Sequence, residues 1–275
     1  MAVVVNADDL GLTPGVNAGI FAAMDAGVVS DASLLANGRA FADAVAGLRE
    51  RRIDAIGLHF CLVDMESPLA PAEAVAPLVE GDHFIVNRNC LFLRTLAKPR
   101  RLVAAMQREL ECQYARMRDA GLRVSHLDSH QHVHLFPFIA RMVADFCAER
   151  GIRFIRLVRP RGSAGVVPAA VGMLSSQLAA LARARGVGCV PSFGFENSGH
   201  VTPESFVFHV DCARRQPVGE VMVHPGRTDD ETRTRYAHWH YDWDRELRAV
   251  LDGGALMTGA GVRPVSYASL QEAGA

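Results

Sequence analysis

Residues 3–11 read VVVNADDLG, a β-branched apolar run that ends in two adjacent aspartates and a glycine. Such a run favours a strand, and its lack of polar alternation is typical of a strand buried on both faces. Adjacent carboxylates repel each other, and a cation bound to one of them relieves that repulsion. The stretch therefore predicts a buried strand with ionisable residues at its carboxyl end.

The same pattern recurs along the chain. Apolar, β-branched runs follow at 28–38, 53–60, 122–130, 152–160, 186–195, 219–226 and 262–270. Stretches with helical periodicity lie between them, at 14–27, 100–121, 138–151, 169–186 and 242–254. Alternating strands and helices predict a parallel sheet wrapped by helices. About eight such units predict an α/β fold, a TIM-barrel-like (β/α) barrel that is fully or imperfectly closed. An open doubly wound sheet is the alternative, but no glycine-rich phosphate loop follows the first strand.

The chain is expected to form a single domain over residues 1–275, because no linker or low-complexity segment divides it. Residues 63–99 contain no clear strand–helix unit. We expect them to form a long excursion over the barrel mouth, as a lid or a substrate wall.

Composition argues against several classes of protein. The formal net charge is −1 and there is no polybasic run, which argues against nucleic acid or a membrane surface as a partner. The sequence shows neither a membrane-spanning apolar stretch nor a signal-peptide pattern. Six scattered cysteines without a CxxC pair indicate reduced thiols in the cytoplasm. The single lysine, Lys98, precedes a proline in an arginine-rich stretch and is a poor candidate for Schiff-base chemistry.

Ionisable residues mark the carboxyl ends of the predicted strands. They are Asp8 and Asp9, His59, Asp128 and His130, Arg156 or Arg159, and His224. In a parallel barrel these ends meet at one face, where active sites are built. Residues far apart in the sequence are therefore expected to converge there.

The pair Asp8 and Asp9 has two interpretations. One aspartate could cap the helix that follows. Alternatively, the chain turns at the end of the strand, so that both carboxylates reach the mouth. One of them could then bind a metal ion while the other faces a reacting water.

The segment HLDSHQHVH, at 126–134, holds four histidines and one aspartate. Imidazole is a common ligand of zinc and similar ions, and carboxylates complete mixed sites. A solvated polar loop is the alternative interpretation. Spacing alone does not choose between a His130–His134 pair, which would share a helical face, and a His59–His130 pair. His59 by itself is as well explained as a hydrogen-bonded core residue.

His224 lies in VMVHPG, where proline and glycine force a turn at the predicted mouth. A histidine there can protonate a leaving group near neutral pH, or it can be a structural residue bonded to backbone. Aromatic residues gather at 236–243. Trp239 and Tyr241 could stack on a sugar face, contact the core or meet a partner.

Together these motifs resemble the YdjC-like family of carbohydrate deacetylases, which includes chitooligosaccharide deacetylases and proteins of hopanoid pathways. The matching pieces, in family order, are VNADDLG, GVVSDASLLANG, IGLHF, SHLDSHQHVHLFP and EVMVHPG, within residues 5–226. Leu10 stands where the family usually has phenylalanine, and Gln131 stands where some members have histidine. Neither difference removes a candidate ligand.

The resemblance implies a divalent-metal hydrolase, often dimeric, that acts on an N-acetylated sugar or glycoconjugate. It implies that Asp9, His59 and His130 bind one divalent ion. Zinc or magnesium is expected, with manganese or cobalt as alternatives. Asp8 is implied as the general base and His224 as the acid.

The same resemblance assigns supporting places to three further residues. Asp128 and His132 are expected behind the ligands or in the substrate pocket, and Arg159 is expected to hold substrate oxygens. Two other functions stay open at this point. One is a metal-dependent hydrolase of a different small amide or ester, and the other is a sugar-binding barrel without turnover.

Overall fold

A computed structural model describes residues 1–64, 66–97, 99–161 and 165–273, so Lys98 lies outside the described residues. Its strands are β1 (Ala2–Leu10), β2 (Asp31–Leu34), β3 (Ala55–Phe60), β4 (Val79–Glu80), β5 (His83–Phe84), β6 (Arg123–Ser129), β7 (Phe154–Val158), β8 (Gly188–Phe193) and β9 (Val218–Val223).

The helices complete the α/β alternation. They are α1 (Pro14–Asp25), α2 (Phe41–Glu50), α3 (Ala72–Val75), α4 (Arg88–Ala97), α5 (Pro99–Asp119), α6 (Pro137–Arg150), α7 (Val166–Arg183), α8 (Pro203–Ala213), α9 (Asp230–Thr234), α10 (Trp243–Gly259) and α11 (Tyr267–Glu272). The five helices predicted from periodicity correspond to α1, α5, α6, α7 and α10. The periodicity did not single out the other described helices, which are α2, α3, α4, α8, α9 and α11.

Seven parallel strands close into a barrel in the order β1-β2-β3-β6-β7-β8-β9, with β9 paired back to β1. The predicted TIM-barrel-like fold is confirmed, and the ring is closed. The strand count differs from the prediction, because residues 262–270 form no strand. Pro264 has no N–H to donate to a ladder, and the Ser266 side chain accepts from the Ser269 N–H to begin α11.

The segment expected to be the eighth strand instead covers the amino-terminal end of the barrel. Val265 donates its N–H to the Val3 carbonyl at 2.8 Å, and the Tyr267 N–H bonds to Asp31 at 2.7 Å. The ring of Tyr267 stacks on His126 with centroids 3.9 Å apart. This end of the barrel is therefore closed by packed side chains, and the opposite end is left for a site.

Side chains along β1 alternate between two environments. Val3, Val5 and Ala7 belong to the main apolar core between the barrel and its helices. Val4 packs in a separate cluster with Tyr267, inside the ring. Period-2 alternation therefore directs Asp8, four residues beyond Val4, into the barrel interior.

Helix α7 is the one helix among the described residues that is long and apolar enough to cross a membrane by length and composition. Its mean hydropathy is 1.3, and 22% of it is buried. The buried residues include Ser175, Leu178 and Ala182, and the Ser175 hydroxyl donates to the Val158 carbonyl of β7 at 2.8 Å. Helix α7 thus has the one-sided burial of a helix in the outer ring of a barrel.

The excursion at 63–99 contains α3, the β4–β5 hairpin and α4. Glu109 of α5 fixes its start, because the carboxylate accepts the backbone N–H groups of Leu69 and Ala70 at 2.8–3.0 Å. Past the hairpin, residues 86–89 line a cavity that also includes His130. The segment therefore leaves the barrel after β3 and returns to its carboxyl end.

Candidate metal centre

The end of β1 turns so that two consecutive carboxylates reach the same end of the barrel. Asp9 has φ +66°, in the left-handed region that aspartate tolerates better than most residues. The pairing of β1 with β2 shifts register between Ala7 and Leu10. This irregularity releases Asp9 from the alternation of the strand, so that Asp8 and Asp9 do not point to opposite faces.

Three donor atoms from three strand ends converge beside this turn. Nδ1 of His130 lies 2.9 Å from Oδ1 of Asp9, and Nε2 of His59 lies 3.3 Å from the same oxygen. All three side chains are buried. Ligands of one ion with bonds of about 2.0–2.2 Å lie roughly 3 Å from one another, so these spacings suit a common cation. The donor set of one carboxylate and two imidazoles also fits a divalent metal.

The outer nitrogen of each imidazole faces a second carboxylate. Nδ1 of His59 lies 2.8 Å from Oδ1 of Asp128, and Nε2 of His130 lies 3.6 Å from Oδ2 of Asp64. Carboxylates in these positions fix the tautomer and the ring orientation of histidines that bind metals. Asp128 thus lies behind a candidate ligand, on the side away from Asp9.

The site is strongly negative. Burial alone would lower the pKa of each imidazole, but the neighbouring carboxylates together outweigh it. Asp128 contributes most at His59, and Asp9 contributes most at His130. The pKa of His59 is raised to about 10 and that of His130 to about 9. Burial would raise the pKa of Asp9, yet His130 and His59 hold it well below its usual range. Such a field favours a bound dication.

Arg156 fills the space next to this centre. Its guanidinium bonds both oxygens of Asp8, at 2.5 and 2.6 Å, and reaches Oδ2 of Asp128 at 2.6 Å. Nε bonds Glu220 at 2.6 Å, and the arginine is fully buried. Asp8, His59 and Asp128 form a second group of potential metal ligands. Arg156 already neutralises that group, so Asp9, His59 and His130 are the better candidate for an ion.

His224 stands across from Asp8 at the end of β9. Its Nε2 lies 4.0 Å from Oδ2 of Asp8, and its Nδ1 lies 3.8 Å from Oε1 of Glu246. Its backbone N–H donates to the same Glu246 oxygen at 2.6 Å. Burial would lower the pKa of His224, but the carboxylates of Glu246 and Asp8 outweigh it and raise that pKa. The raised pKa favours an imidazole that is protonated near neutral pH.

A cavity of about 440 Å³ opens onto His130. Its wall combines residues 86–89 of the excursion with Gln131 and the aromatic side chains of His238, Trp239 and Tyr241. A groove of about 470 Å³ lies elsewhere, lined by α5, α6 and Gln177, and contains none of the convergent ionisable residues. The cavity at His130 is therefore the candidate substrate site.

The other histidines of the motif at 126–134 have different partners. His134 bonds the Ser129 hydroxyl at 2.5 Å and lies 3.2 Å from the Arg156 carbonyl, so it is a structural residue. His132 follows Gln131, and both residues lie in the left-handed region, with φ of 58° and 51°. This backbone turns His132 away from the centre, and its ring packs on Phe195 at 5.6 Å.

Arg159 lies apart from the cluster. Its guanidinium is 3.4 Å from the Ser176 hydroxyl on α7, and it does not line the cavity at His130. Arg156, the other arginine at this strand end, is the one that enters the barrel. Side chains two residues apart on a strand share a face, and Phe154 packs inside the ring near Tyr267. Alternation along β7 therefore indicates that Arg156, two residues later, also points inward.

Asp64 is the functional candidate that the sequence analysis missed. It lies in the excursion at 63–99, which has no repeat pattern, and its approach to His130 depends on tertiary contacts. Asn6 is a second polar residue that the sequence analysis did not single out, although its position on the strand could have identified it. Asn6 points into the barrel two residues before Asp8, and its side chain donates to Oδ1 of Asp8 at 2.8 Å.

Comparison with known proteins gives a family and a shared fold. The sequence model of a family described as YdjC-like protein matches residues 2–256. A solved structure from Enterococcus faecalis, described as a candidate cellobiose-phosphate cleavage protein, is similar over 98% of each chain, with a TM-score of 0.78 and 20% sequence identity. At that identity, the likeness shows a shared fold.

Proposed function

Because this chain belongs to the YdjC-like family, we propose that it is a metal-dependent hydrolase that removes the N-acetyl group from an amino sugar or sugar conjugate. The observation that carries this proposal is the convergence of Asp9, His59 and His130 on one point beside Asp8 and His224. A sugar-binding barrel without turnover would not need a base and an acid next to a cation site.

One divalent ion is proposed as the cofactor, held by Asp9, His59 and His130. Zinc and magnesium are the first choices, and manganese or cobalt also suits this mixed set of oxygen and nitrogen donors. Such an ion, when bound, supplies a Lewis acid that polarises the amide carbonyl and increases the acidity of water. Asp128 keeps Nδ1 of His59 engaged, so that Nε2 is left for the ion.

The reaction needs two proton transfers besides the metal chemistry. Asp8 accepts the proton of the attacking water, and Arg156 holds its carboxylate in place from behind. His224, whose pKa is raised, donates a proton to the departing sugar nitrogen. Both groups lie at the same end of the barrel, on the side of the candidate ligands.

The cavity at His130 is proposed to bind the sugar. Trp239 and Tyr241 provide aromatic faces against which the apolar face of a sugar ring can stack. Asn87, Arg88 and Asn89 provide amide and guanidinium groups for hydroxyl oxygens. A volume of about 440 Å³ lies within the usual range of small-molecule sites. All six cysteines are free thiols, which agrees with a proposed place in the cytoplasm.

Acetate release tests the proposal. The protein is expected to release acetate from N-acetylglucosamine conjugates or chitooligosaccharides, to lose this activity in a chelator, and to regain it with one divalent ion per chain. Simple acetyl esters serve as the comparison substrates. Turnover of esters but not of N-acetyl sugars would indicate a different hydrolase. Sugar binding without acetate release would indicate a binding protein.

His224→Gln is expected to lower kcat about 10²-fold or more, with metal affinity unchanged, because the leaving nitrogen loses its proton donor. A general acid acts while it is protonated, so activity should fall as pH rises through the raised pKa of His224. The variant should lack this decrease at alkaline pH. His209→Gln is the control, since His209 is also buried but bonds Asn197 outside the site. An unchanged pH profile in His224→Gln would exclude His224 as the acid.

A further inference from the structure

Asp64 joins the candidate metal centre to the aromatic residues of the cavity. Its Oδ2 accepts from Nε1 of Trp239 at 2.6 Å and from Nε2 of Gln131 at 3.0 Å. Its Oδ1 lies 3.0 Å from Nε2 of His238, and its Oδ2 lies 3.6 Å from Nε2 of His130. One buried carboxylate thus contacts a candidate metal ligand, that ligand's neighbour and two residues of the cavity wall.

The backbone holds Asp64 in this place. Its φ is +75°, a conformation that surrounding contacts must maintain. Its N–H donates to the Ile85 carbonyl at 3.1 Å, just after the β4–β5 hairpin. The carboxylate is therefore positioned by the excursion at 63–99, and it reaches the barrel mouth as a fixed acceptor.

We call residues 236–243 the aromatic segment. Besides Asp64, it has a second anchor in the excursion, because the Tyr236 hydroxyl donates to Glu66. Its Trp239 ring also lies on the His130 imidazole, with centroids 5.0 Å apart and planes 33° apart. The aromatic segment therefore covers a candidate ligand and is held by the same carboxylate that faces the outer nitrogen of that ligand.

We propose that Asp64 is a positioning residue that couples ion binding at His130 to ordering of the aromatic segment beside the cavity. This inference rests on the metal site of the proposed function. An ion that fixes the His130 ring also fixes Nε2, the nitrogen that faces Asp64 at 3.6 Å. Asp64 in turn holds Trp239 and His238, so order at His130 extends to the aromatic segment, and the coupling is reciprocal by linkage.

The coupling makes the order of part of the cavity wall depend on the bound ion. Trp239 and Tyr241 belong to both the aromatic segment and the lining of the cavity. Loss of the Asp64 contacts should therefore weaken sugar binding as well as ion binding. In kinetic terms, Asp64→Asn should raise KM in addition to the metal concentration needed for half-maximal activity.

The inference is tested on the full chain by titration with Mn²⁺ and with Zn²⁺. Calorimetry measures ion affinity, and hydrogen exchange measures the order of residues 236–243. In the wild type, the ion should slow exchange in the aromatic segment. Asp64→Asn should bind the ion about 10–100-fold more weakly. Exchange in its aromatic segment should no longer respond to the ion.

Two further variants keep the inference testable even if Asp64→Asn folds poorly. Tyr236→Phe loosens the aromatic segment at its other anchor without touching His130 or Asp64, so by reciprocity it should weaken ion binding, but less than Asp64→Asn does. Trp239→Phe keeps a ring on His130 but has no N–H for Asp64, so ion binding should no longer slow exchange in the segment.

Unchanged metal affinity in Asp64→Asn, or an unchanged response of the segment in Trp239→Phe, would overturn the coupling while leaving the proposed function intact. Failure of the wild type to bind either ion would overturn the proposed metal site itself, and the coupling with it.

Discussion

Asp8→Asn is expected to lower the turnover of an N-acetyl sugar by about 10²–10⁴-fold while the chain stays folded and binds its ion. Asparagine occupies the same volume and still accepts one bond from Arg156, but it cannot take a proton from water. Asp8 does not belong to the candidate ligand set of Asp9, His59 and His130, so calorimetric metal affinity should change little. Acetate release and metal titration on the same preparation give both quantities.

Glu220→Gln is the matched control for this prediction. Glu220 is another buried carboxylate that bonds Arg156, at 2.6 Å, but it lies outside both groups of potential metal ligands. Loss of activity through a disturbed Arg156 should appear in both variants, whereas loss of a base should appear only in Asp8→Asn. Comparable rates for Asp8→Asn and the wild type would exclude Asp8 as the base.

Arg156→Met is expected to destabilise the fold by about 3–5 kcal/mol, because it leaves several buried carboxylates without a counter-charge. In the wild type, the guanidinium bonds Asp8, Asp128 and Glu220 within 2.5–2.6 Å inside the barrel. Urea unfolding, with the slope compared between variants, measures the loss. Arg159→Met, at the end of the same strand, should cost less than about 1 kcal/mol, since the hydrogen bond from its side chain to Ser176 is exposed.

The double variant Arg156→Met/Glu220→Gln covers the case in which the single variant does not fold. Neutralising Glu220 removes one of the uncompensated charges, so part of the lost stability should return. A single variant as stable as the wild type would show that the arginine is not needed to balance the charges in the barrel. The role given to it in holding Asp8 would then fail as well.

Local sequence patterns predicted the barrel well because its strands are apolar runs with breaks between them. They overestimated the strand count at 262–270, where the run VRPVSYASL has a suitable composition. Only the pairing partners show that Val265 makes one bond to Val3 and that Tyr267 then starts a helix. An apolar run does not reveal whether it continues a sheet or covers its end.

Part of the candidate site could also be predicted from the positions of the strands. Strand ends in a parallel barrel lie on one face, so Asp9 and His59 could be expected to approach His130. Spacing could not decide between His59 and His134, because both choices are locally plausible. The structure brings His59 to Asp9 and places His134 against Ser129.

The contribution of Asp64 could not be predicted from the sequence. It depends on a left-handed turn in the excursion, on the return of that excursion to the barrel, and on the aromatic segment that comes more than 170 residues later. None of these has a periodic pattern. Tertiary contacts with Trp239 and His130 alone identify it.

Anomalous diffraction from crystals grown with Zn²⁺ or Mn²⁺ tests the central claim most directly. We predict one peak at the carboxyl end of the barrel, about 2.0–2.3 Å from Oδ1 of Asp9, Nε2 of His59 and Nδ1 of His130. A chain that takes up no ion, or a peak between Asp8 and Asp128 with Arg156 displaced, would contradict the account.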